Sequence, residues 1–508
     1  MSSNAVTLDR ISRIVGYKIT KGFFNLVSPN LPQRIAMLGE ANDANQSGLT
    51  VNAPTQITTS QQAGTLFGYG SPIHMMSRIL FPYNGDGIGG IPVWVYPQAK
   101  AAGATTKIWR IQPTGVATAN VTHYLKIAGR ESIDNNYYAI NIVVGDTTPT
   151  ILQKIVNAVN GILGSPFSAN QDTYEAILTS KWSGLTADAL TVSVDAGTNA
   201  AGVTYTLNSP QAGSGTPSIA SSLNLFQNDW NTIVVNPYGT ETTTIQSLMS
   251  FNGIPDPTNP TGRFVGIIFK PFIAITGSTA DDPSSITDTY LNDVTIAIAP
   301  APGSLGLSLE AAANMTYLAA LQFQNNVNLD VSGQYYPDMP VPTAASWATA
   351  TMAVYTNRDA IVKKGCSTVN LVSGQFKVED FVTTYHPLGE NPAQYRYCRN
   401  LNIDNNVKFG YHLLEALYVQ DHSIANDSDT VTADRVIKPK EWTGILNEYA
   451  NDLATRALIT NPDFMKASIV VNIGQSNPDR LETFFRYQRS GFARIASTTA
   501  EAGFFFGS

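Results

Sequence analysis

The stretch Val294-Thr-Ile-Ala-Ile-Ala299 and the helical pattern that follows it over 307–326 indicate the class of fold. Continuous apolar runs of this kind are typical of strands that are covered on both faces. Two earlier runs, at 233–235 and 264–269, have the same character, and a helix is predicted between them over 242–251. Because these strands alternate with helices, the pattern favours a partly parallel sheet. The sequence therefore predicts a mixed α/β core.

Two elements further along the chain have clear local signals. Ser373-Gly374 separates two strand patterns, at 369–372 and 376–381, and so predicts a hairpin. A helix is predicted to begin after Pro439, which suits a first turn, and to stop at Asn461-Pro462. The predicted apolar face of this helix consists of Trp442, Ile445, Leu446, Tyr449 and Leu453.

The sequence upstream of the core strands differs from them in composition and in the length of its strand patterns. Residues 98–216 are rich in Thr, Ala and Gly and contain several short strand patterns and one helix. We interpret this stretch as an inserted domain. The predicted fold is α+β and multidomain, with a mixed α/β core, an inserted mostly β domain, and extended N- and C-terminal arms. The predicted boundaries are 1–30 for the N-terminal arm, 31–97 and 217–490 for the discontinuous core, 98–216 for the inserted domain, and 491–508 for the C-terminal arm.

Both ends of the chain carry apolar side chains in extended patterns. Near the N-terminus, Val15, Tyr17 and Ile19 alternate as they would on one face of a strand. The C-terminus contains Gly503-Phe-Phe-Phe-Gly507, although chain ends are usually polar and frayed. Three consecutive phenylalanines require burial, either against their own domain or in another molecule. The second alternative indicates an assembly protein.

Charged residues are scarce in this chain. Asp, Glu, Lys and Arg make up 14% of the 508 residues, against roughly 25% in a typical globular domain. A surface with so few charges favours contact between copies of the chain. The net charge is -7 and the sequence has no cluster of Lys or Arg, which argues against direct binding of nucleic acid.

Neither secretion nor membrane insertion is expected. The first 14 residues lack the apolar segment of a secretory signal. The longest apolar run, 264–275, is interrupted by Lys270 and Pro271 and is too short to span a bilayer. Two cysteines, Cys366 and Cys398, are too few for a disulfide scaffold. The sequence therefore predicts synthesis and assembly in the cytoplasm.

Motifs of catalysis or cofactor binding are weak in this sequence. Gly85-Asp-Gly-Ile-Gly-Gly90 matches the dinucleotide fingerprint, but a predicted strand follows it where the fingerprint requires a helix. His386 follows a predicted strand without an identifiable partner, and Cys366 has the character of a small buried residue. Acidic loops at 281–282 and 427–429 lack the spacing of a calcium loop. We predict that the protein is not an enzyme and has no catalytic residue, no cofactor and no metal ligand.

Several segments, taken together, resemble the contractile tail sheath proteins of bacteriophages, in the Mu-like branch. The resemblance lies in the order and spacing of these segments over most of the chain, because each motif alone is weak. The segments are Gly68-Tyr-Gly-Ser71, Ile127-Ala-Gly-Arg130, Asp146-Thr-Thr-Pro-Thr150, Asp229-Trp-Asn-Thr-Ile-Val-Val-Asn-Pro237, Ala301-Pro-Gly-Ser-Leu305, 359–369, Thr383-Thr-Tyr385 and Asn477-Pro-Asp-Arg-Leu481. The chain departs from the family in its longer Phe-rich end and in the absence of a basic C-terminal region.

The resemblance implies a structural virion protein. Its subunits would form stacked hexameric rings in a helical sheath around a tail tube protein, between a baseplate and a tail terminator. Contraction of this sheath would drive the tube through the host envelope and permit genome ejection. The resemblance also implies that both arms reach neighbouring subunits and add strands to a sheet there.

The arms are therefore the predicted sites of contact between subunits. The hypothesised contact residues are Val15, Tyr17, Ile19, Phe492, Arg494, Ile495, Phe504, Phe505 and Phe506. One alternative is that both ends pair within their own domain. Two other function classes stay open: a non-contractile virion surface protein or adhesin, and an α/β enzyme with a perturbed carboxylate or His386 in an accessible pocket.

Overall fold

The computed structural model of the chain describes residues 29–49, 53–390 and 393–502. The strands in these residues are β1 (Ile35–Glu40), β2 (Thr55–Ile57), β3 (Val93–Gln98), β4 (Thr106–Thr114), β5 (Val121–Ile127), β6 (Ser132–Ile133), β7 (Asn136–Tyr137), β8 (Ala139–Ile142), β9 (Phe167–Gln171), β10 (Ala176–Ser183), β11 (Val192–Asp195), β12 (Thr204–Gln211), β13 (Ile233–Asn236), β14 (Ile273–Ser278), β15 (Ile296–Pro300), β16 (Thr368–Val372), β17 (Gln375–Asp380), β18 (Ser423–Ile424), β19 (Val436–Ile437), β20 (Ile459–Thr460), β21 (Val470–Ile473), β22 (Leu481–Phe484) and β23 (Gln488–Arg489). The helices are α1 (Ser60–Phe67), α2 (Pro72–Leu80), α3 (Thr148–Asn160), α4 (Leu185–Asp188), α5 (Ala220–Asn224), α6 (Thr242–Asn252), α7 (Ser284–Thr287), α8 (Ser308–Asn325), α9 (Ala344–Ala348), α10 (Tyr355–Lys363), α11 (Cys398–Tyr418), α12 (Pro439–Thr455) and α13 (Pro462–Ser468).

The described residues fall into two compact units. The sheet unit contains residues 31–406 and the last segment from Arg494 onward, and the C-terminal unit contains residues 29–30 and 407–493. The prediction of an α+β multidomain fold is confirmed, because helices and several separate sheets are both present. The predicted domain boundaries stay predictions.

The sheet unit is organised around a six-stranded sheet in the order β15-β14-β13-β1-β3-β2. Its first five strands are parallel, and β2 pairs antiparallel with β3 at one edge. All residues of β1, β13, β14 and β15 are buried. Burial on both faces explains the continuous apolar runs, so the predicted partly parallel sheet is confirmed.

One strand of this sheet lies elsewhere than predicted. The run 264–269 is not a strand: a 3-10 turn spans Gly262–Phe264, and the strand begins at Ile273, after Pro271. The guanidinium group of Arg263 donates to the backbone oxygens of Lys270 and Gln227, at 2.9 and 2.8 Å, and so holds the run as a loop. Ile267 is consequently 97% exposed.

Helix α8 packs against β13, β14 and β15, and most closely against β14. The prediction of a helix over 307–326 is confirmed, and the buried side of α8 includes the small residues Ala311, Ala312 and Ala313. Gly277 of β14 lies directly beneath the N-terminus of α8. A Cβ atom there would lie 1.7 Å from the backbone oxygen of Ser308, so this close approach requires glycine.

Strands β4–β12 form sheets of their own within residues 98–216. A four-stranded sheet has the order β12-β4-β10-β9, a three-stranded sheet has the order β11-β5-β8, and β6 pairs with β7. Helix α3 packs against these strands with Ile151, Leu152 and Ile155 fully buried. Trp182 and Phe167 are also fully buried. We keep the name inserted domain for residues 98–216.

The inserted domain is joined to the rest of the sheet unit by buried polar contacts. Arg130 donates from Nε to Oε1 of Glu310, in α8, over 3.1 Å, and it also pairs with Asp338. Oγ1 of Thr186 donates to Oε2 of Glu40, at the end of β1, over 2.8 Å. The side chains of Glu310 and Glu40 are each only 1% exposed.

The C-terminal unit has a small core of its own. Ile437, Trp442 and Leu446 are buried there, with Tyr411, Val471 and Leu481 among the side chains packed against them. The helix predicted after Pro439 is confirmed as α12, but it ends at Thr455. The predicted stop at Asn461-Pro462 instead begins α13, because Asn461 caps that helix in a left-handed conformation with φ of 51°.

The hairpin predicted around Ser373-Gly374 is confirmed. Strands β16 and β17 pair antiparallel, with Val372 opposite Gln375. Among the helices of the described residues, none is both long enough and apolar enough to cross a membrane.

Candidate assembly surface

Strands β21 and β22 form a two-stranded antiparallel sheet in the C-terminal unit. Their register places Val470 opposite Phe484 and Ile473 opposite Leu481. In the part of the chain that the structure describes, each strand pairs only with the other, so each has an edge without a strand partner. Such an edge presents a row of backbone donors and acceptors to which another strand can be added.

The two faces of the β21–β22 sheet differ in exposure. On the inner face, Val471 and Leu481 pack against the core, and Nε1 of Trp442 donates to Oγ1 of Thr483 over 3.0 Å. On the outer face, Val470 is 49% exposed and its cross-strand partner Phe484 is 53% exposed. The outer face therefore combines an apolar cross-strand pair with two open edges. We call it the outer β21–β22 face.

The chain leaves the C-terminal unit through a second small sheet. Strand β23 pairs antiparallel with β20, and the backbone N–H of Ser490 donates to the oxygen of Leu458 over 3.0 Å. From 491 to 502 the chain has no helix and no strand. Phe492 is half-buried, whereas Ile495 is 89% exposed. We call residues 491–502 the C-terminal segment.

Arg494 of this segment lies in a pocket of the sheet unit. Its Nη1 donates to Oδ1 of Asp380 over 2.9 Å, and its Nη2 pairs with Asp330. The guanidinium carbon lies 3.7 Å from the centre of the Tyr397 ring. Arg494 thus contacts residues of its own chain. The predicted contact of Arg494 with a second subunit stays a prediction.

The structure locates three of the nine predicted contact residues. Phe492, Arg494 and Ile495 lie close together in the C-terminal segment. Val15, Tyr17 and Ile19, and Phe504, Phe505 and Phe506, lie outside the described residues. Sequence reasoning missed Asp330, Asp380 and Tyr397, which come from separate parts of the chain and carry no local motif.

The candidates for catalytic chemistry are placed as follows. The loop 85–90 lies between the end of α2 and the start of β3, so a helix precedes it and a strand follows, which is the reverse of a dinucleotide loop. Cys366 is fully buried, and burial raises the pKa of its thiol, which disfavours the reactive thiolate. Nδ1 of His386 lies 2.6 Å from the backbone oxygen of Thr384, and its Nε2 lies 3.5 Å from Asp288. No group of three or more His, Cys, Asp or Glu in the described residues has a geometry suited to a metal ion.

Glu40 and Lys181 are among the other titratable groups with strongly shifted pKa values. Burial raises the pKa of Glu40 to about 8, and its Oε1 has no hydrogen-bond partner among the described residues. Burial lowers the pKa of Lys181 to about 8, and Nζ donates to the oxygen of Leu163 over 3.1 Å. Lys181 and Asp43 both line a cavity of about 730 Å³. Asp43 accepts a hydrogen bond from Ser183 and forms an ion pair with Lys100. Glu40 is not among the residues that line it.

Comparisons with known proteins give remote similarities. No family model matches the chain, and no curated protein matches it. Among solved structures, the chain is similar to a sheath tail protein from Desulfitobacterium hafniense, at 12% identity and a TM-score of 0.44, over 95% of this chain and 100% of that one. It is similar to a chain of the anti-feeding prophage baseplate, at 10% identity and a TM-score of 0.45, over 97% and 100%. It is also similar to a sheath tail protein from Listeria innocua, at 11% identity and a TM-score of 0.43, over 92% and 97%.

Proposed function

We propose that the chain is a structural subunit of a contractile tail sheath. Its copies polymerise helically around a tail tube, between a baseplate and a terminator, and contraction drives the tube through a host envelope. The observation that supports this proposal best is the outer β21–β22 face, an open-edged sheet with exposed Val470 and Phe484.

The open edges favour assembly by strand addition. An added strand satisfies the backbone groups of β21 or β22 and covers the apolar pair on the outer face. The C-terminal segment is a suitable donor because it has no helix or strand of its own. Its 12 residues span at most roughly 40 Å when extended, a distance that can reach a neighbouring molecule.

A donor and an acceptor at different places on one subunit form a head-to-tail contact. A contact of this type that does not close into a ring generates an open helix. An extended tether also tolerates rotation of the bodies that it joins, as a switch between two packings of one lattice requires. The scarcity of charged residues, at 14%, is consistent with a surface that is largely covered by other copies.

Electron microscopy of the purified chain tests this proposal. We expect hollow cylinders or stacked rings that increase with protein concentration, observed by negative stain. A variant that lacks 491–508 is expected to fold, as judged by circular dichroism, but to remain monomeric in sedimentation. Uniform small particles at every concentration would contradict the sheath proposal, and a stable trimer would favour a surface protein or adhesin. Normal polymerisation of the truncated variant would contradict the role of the C-terminal arm.

A further inference from the structure

The pocket that holds Arg494 is built from three parts of the sheet unit. Asp330 lies in the loop after α8, Asp380 ends β17, and Tyr397 directly precedes α11. These residues surround the guanidinium group with two carboxylates and one aromatic face. Nη1 of Arg494 also lies 3.5 Å from Oγ of Ser332. The planar guanidinium group suits this combination of paired carboxylates and a stacked ring.

Burial makes the pocket dependent on its arginine. The side chain of Asp330 is 0% exposed, and those of Arg494 and Asp380 are 15% and 26% exposed. One oxygen of Asp330 accepts from the backbone N–H of Val331 over 2.7 Å. A carboxylate that is removed from water in this way is costly unless a cation accompanies it. The pocket therefore favours the state in which an arginine fills it.

The residues directly next to Arg494, and those after it up to 502, are less buried than the arginine. Ala493 and all residues from 495 to 502 are exposed, and none of them lies in a helix or a strand. Ile495, directly after the docked arginine, is 89% exposed. The residues after Arg494 can therefore be released by breaking the small number of contacts that this side chain makes. Such a segment can detach locally while the core of the sheet unit stays folded.

We propose that the pocket of Asp330, Asp380 and Tyr397 is a receptor for the C-terminal arm, and that docking of Arg494 in its own subunit stores the arm before assembly. A stored arm is not available to add a strand to another copy of the chain. Release of Arg494 makes the arm available, so the pocket sets how readily a free subunit joins the polymer. The storage function rests on the proposed sheath function, whereas the docking of Arg494 is independent of it.

Trypsin provides a test of docking in the dilute, monomeric chain. Trypsin cleaves after arginine, and the bond between Arg494 and Ile495 is protected while the arginine side chain is buried in the pocket. The variant Asp330→Asn/Asp380→Asn keeps the cleavage site and removes both carboxylates. We expect its first cut at this bond, read from the mass of the shortened chain, to be at least about tenfold faster, because the charged partners that hold the arginine in the pocket are removed. Asp463→Asn is the matched control, since Asp463 forms an exposed pair with Lys466 outside the pocket.

One outcome of this test would overturn the proposal. Equal cleavage rates in the native chain and the double variant would overturn the docking of Arg494. If the double variant does not fold, Asp380→Asn alone replaces it, because Asp380 is partly exposed and its loss leaves Asp330 paired.

Assembly kinetics test the storage function separately. Light scattering at equal concentration is expected to show a shorter lag for the double variant than for the native chain and Asp463→Asn. An unchanged lag despite faster cleavage would overturn storage. A longer lag would mean that the pocket receives the arm of a neighbouring copy, which also contradicts storage. If the native chain does not assemble at all, the sheath proposal fails, while the cleavage result still decides whether the pocket is a receptor.

Discussion

Thr186 of the inserted domain donates a hydrogen bond of 2.8 Å to Glu40, which ends the central strand β1. Glu40 is buried, its second oxygen has no partner in the described residues, and Gly184 approaches that oxygen closely. A Cβ atom at position 184 would lie 2.6 Å from it. Burial of Glu40 therefore favours a neutral carboxyl group over a charged one, and it outweighs the hydrogen bond from Thr186, which acts in the opposite direction.

We expect stability to depend on pH through Glu40. Burial raises its pKa from 4.5 to about 8, and the charge of nearby Asp43 acts in the same direction. Because the folded state binds the proton more tightly, this stabilisation is complete below about pH 4.5 and is lost as the pH rises through about 8. Glu40→Gln should remove that loss.

The comparison is made by urea unfolding between pH 5 and 9. The native chain should lose stability relative to Glu40→Gln as the pH rises, by a few kcal/mol in total. Glu448→Gln, at an exposed position of α12, should follow the native chain at every pH. A constant difference between the native chain and Glu40→Gln would show that Glu40 does not titrate in this range.

The pair of Arg130 and Glu310 should be a major contributor to stability. Arg130→Met leaves Glu310 buried without a cation, and breaking a buried pair in this way costs about 3–5 kcal/mol. We expect a clear fall in the midpoint of urea unfolding. The control is Lys126→Met in the preceding strand, because Lys126 forms exposed pairs with Glu131 and Asp195 that contribute about 0–1 kcal/mol. Equal effects of the two substitutions would contradict the role assigned to Arg130.

Gly277 should not tolerate even alanine. A Cβ atom at this position meets the backbone of α8, which cannot move aside as a flexible side chain can. Gly277→Ala should destabilise the sheet unit by at least about 1–3 kcal/mol, measured by thermal unfolding. A Cβ atom at Gly266 meets nothing within 4 Å, so Gly266→Ala should unfold like the native chain. A native-like midpoint for Gly277→Ala would mean that α8 packs less closely on β14.

Charges on the outer β21–β22 face should prevent assembly without unfolding the chain. Val470→Lys/Phe484→Lys places two lysines where the sheath proposal requires apolar contact. Burial of one such side chain contributes about 1.5–3 kcal/mol, so the concentration needed for polymerisation should rise at least about tenfold. Sedimentation measures this concentration. Thr430→Lys/Thr432→Lys is the control, because both threonines are exposed in the same unit but lie outside β21 and β22. Polymerisation of the double variant at native concentrations would exclude this face as the acceptor.

The sequence was most informative where burial leaves a continuous or periodic pattern. The runs that form β13 and β15 are fully buried, and their apolar composition predicted a partly parallel sheet. The hairpin of β16 and β17 followed from Ser373-Gly374. The strand predicted at 264–269 was wrong because apolar composition alone does not distinguish a buried strand from a loop. The hydrogen bonds of Arg263 that hold this loop reach Lys270 and Gln227, and nothing in the sequence indicates them.

The candidate site was predictable only in outline. Extended sequence near the C-terminus indicated an arm, and Arg494 was predicted there as a contact with another subunit. That contact stays a prediction, and the partners of Arg494 within its own chain were not foreseen. Asp330 and Asp380 lie far from Arg494 in sequence, and ordinary acidic residues of loops and strand ends give no local signal. Only the folded chain brings them together.

Glu310 has two functions in one side chain. Its Oε2 accepts from the backbone N–H of Leu307 at the start of α8, while its Oε1 accepts from Arg130 of the inserted domain. The cap of a core helix and the anchor of the inserted domain are thus a single carboxylate. Deletion of residues 98–216 would remove the cation that pairs with this cap. A related protein that has lost or exchanged this domain should therefore carry a compensating change at position 310, or supply an arginine from the replacement domain at the position of Arg130.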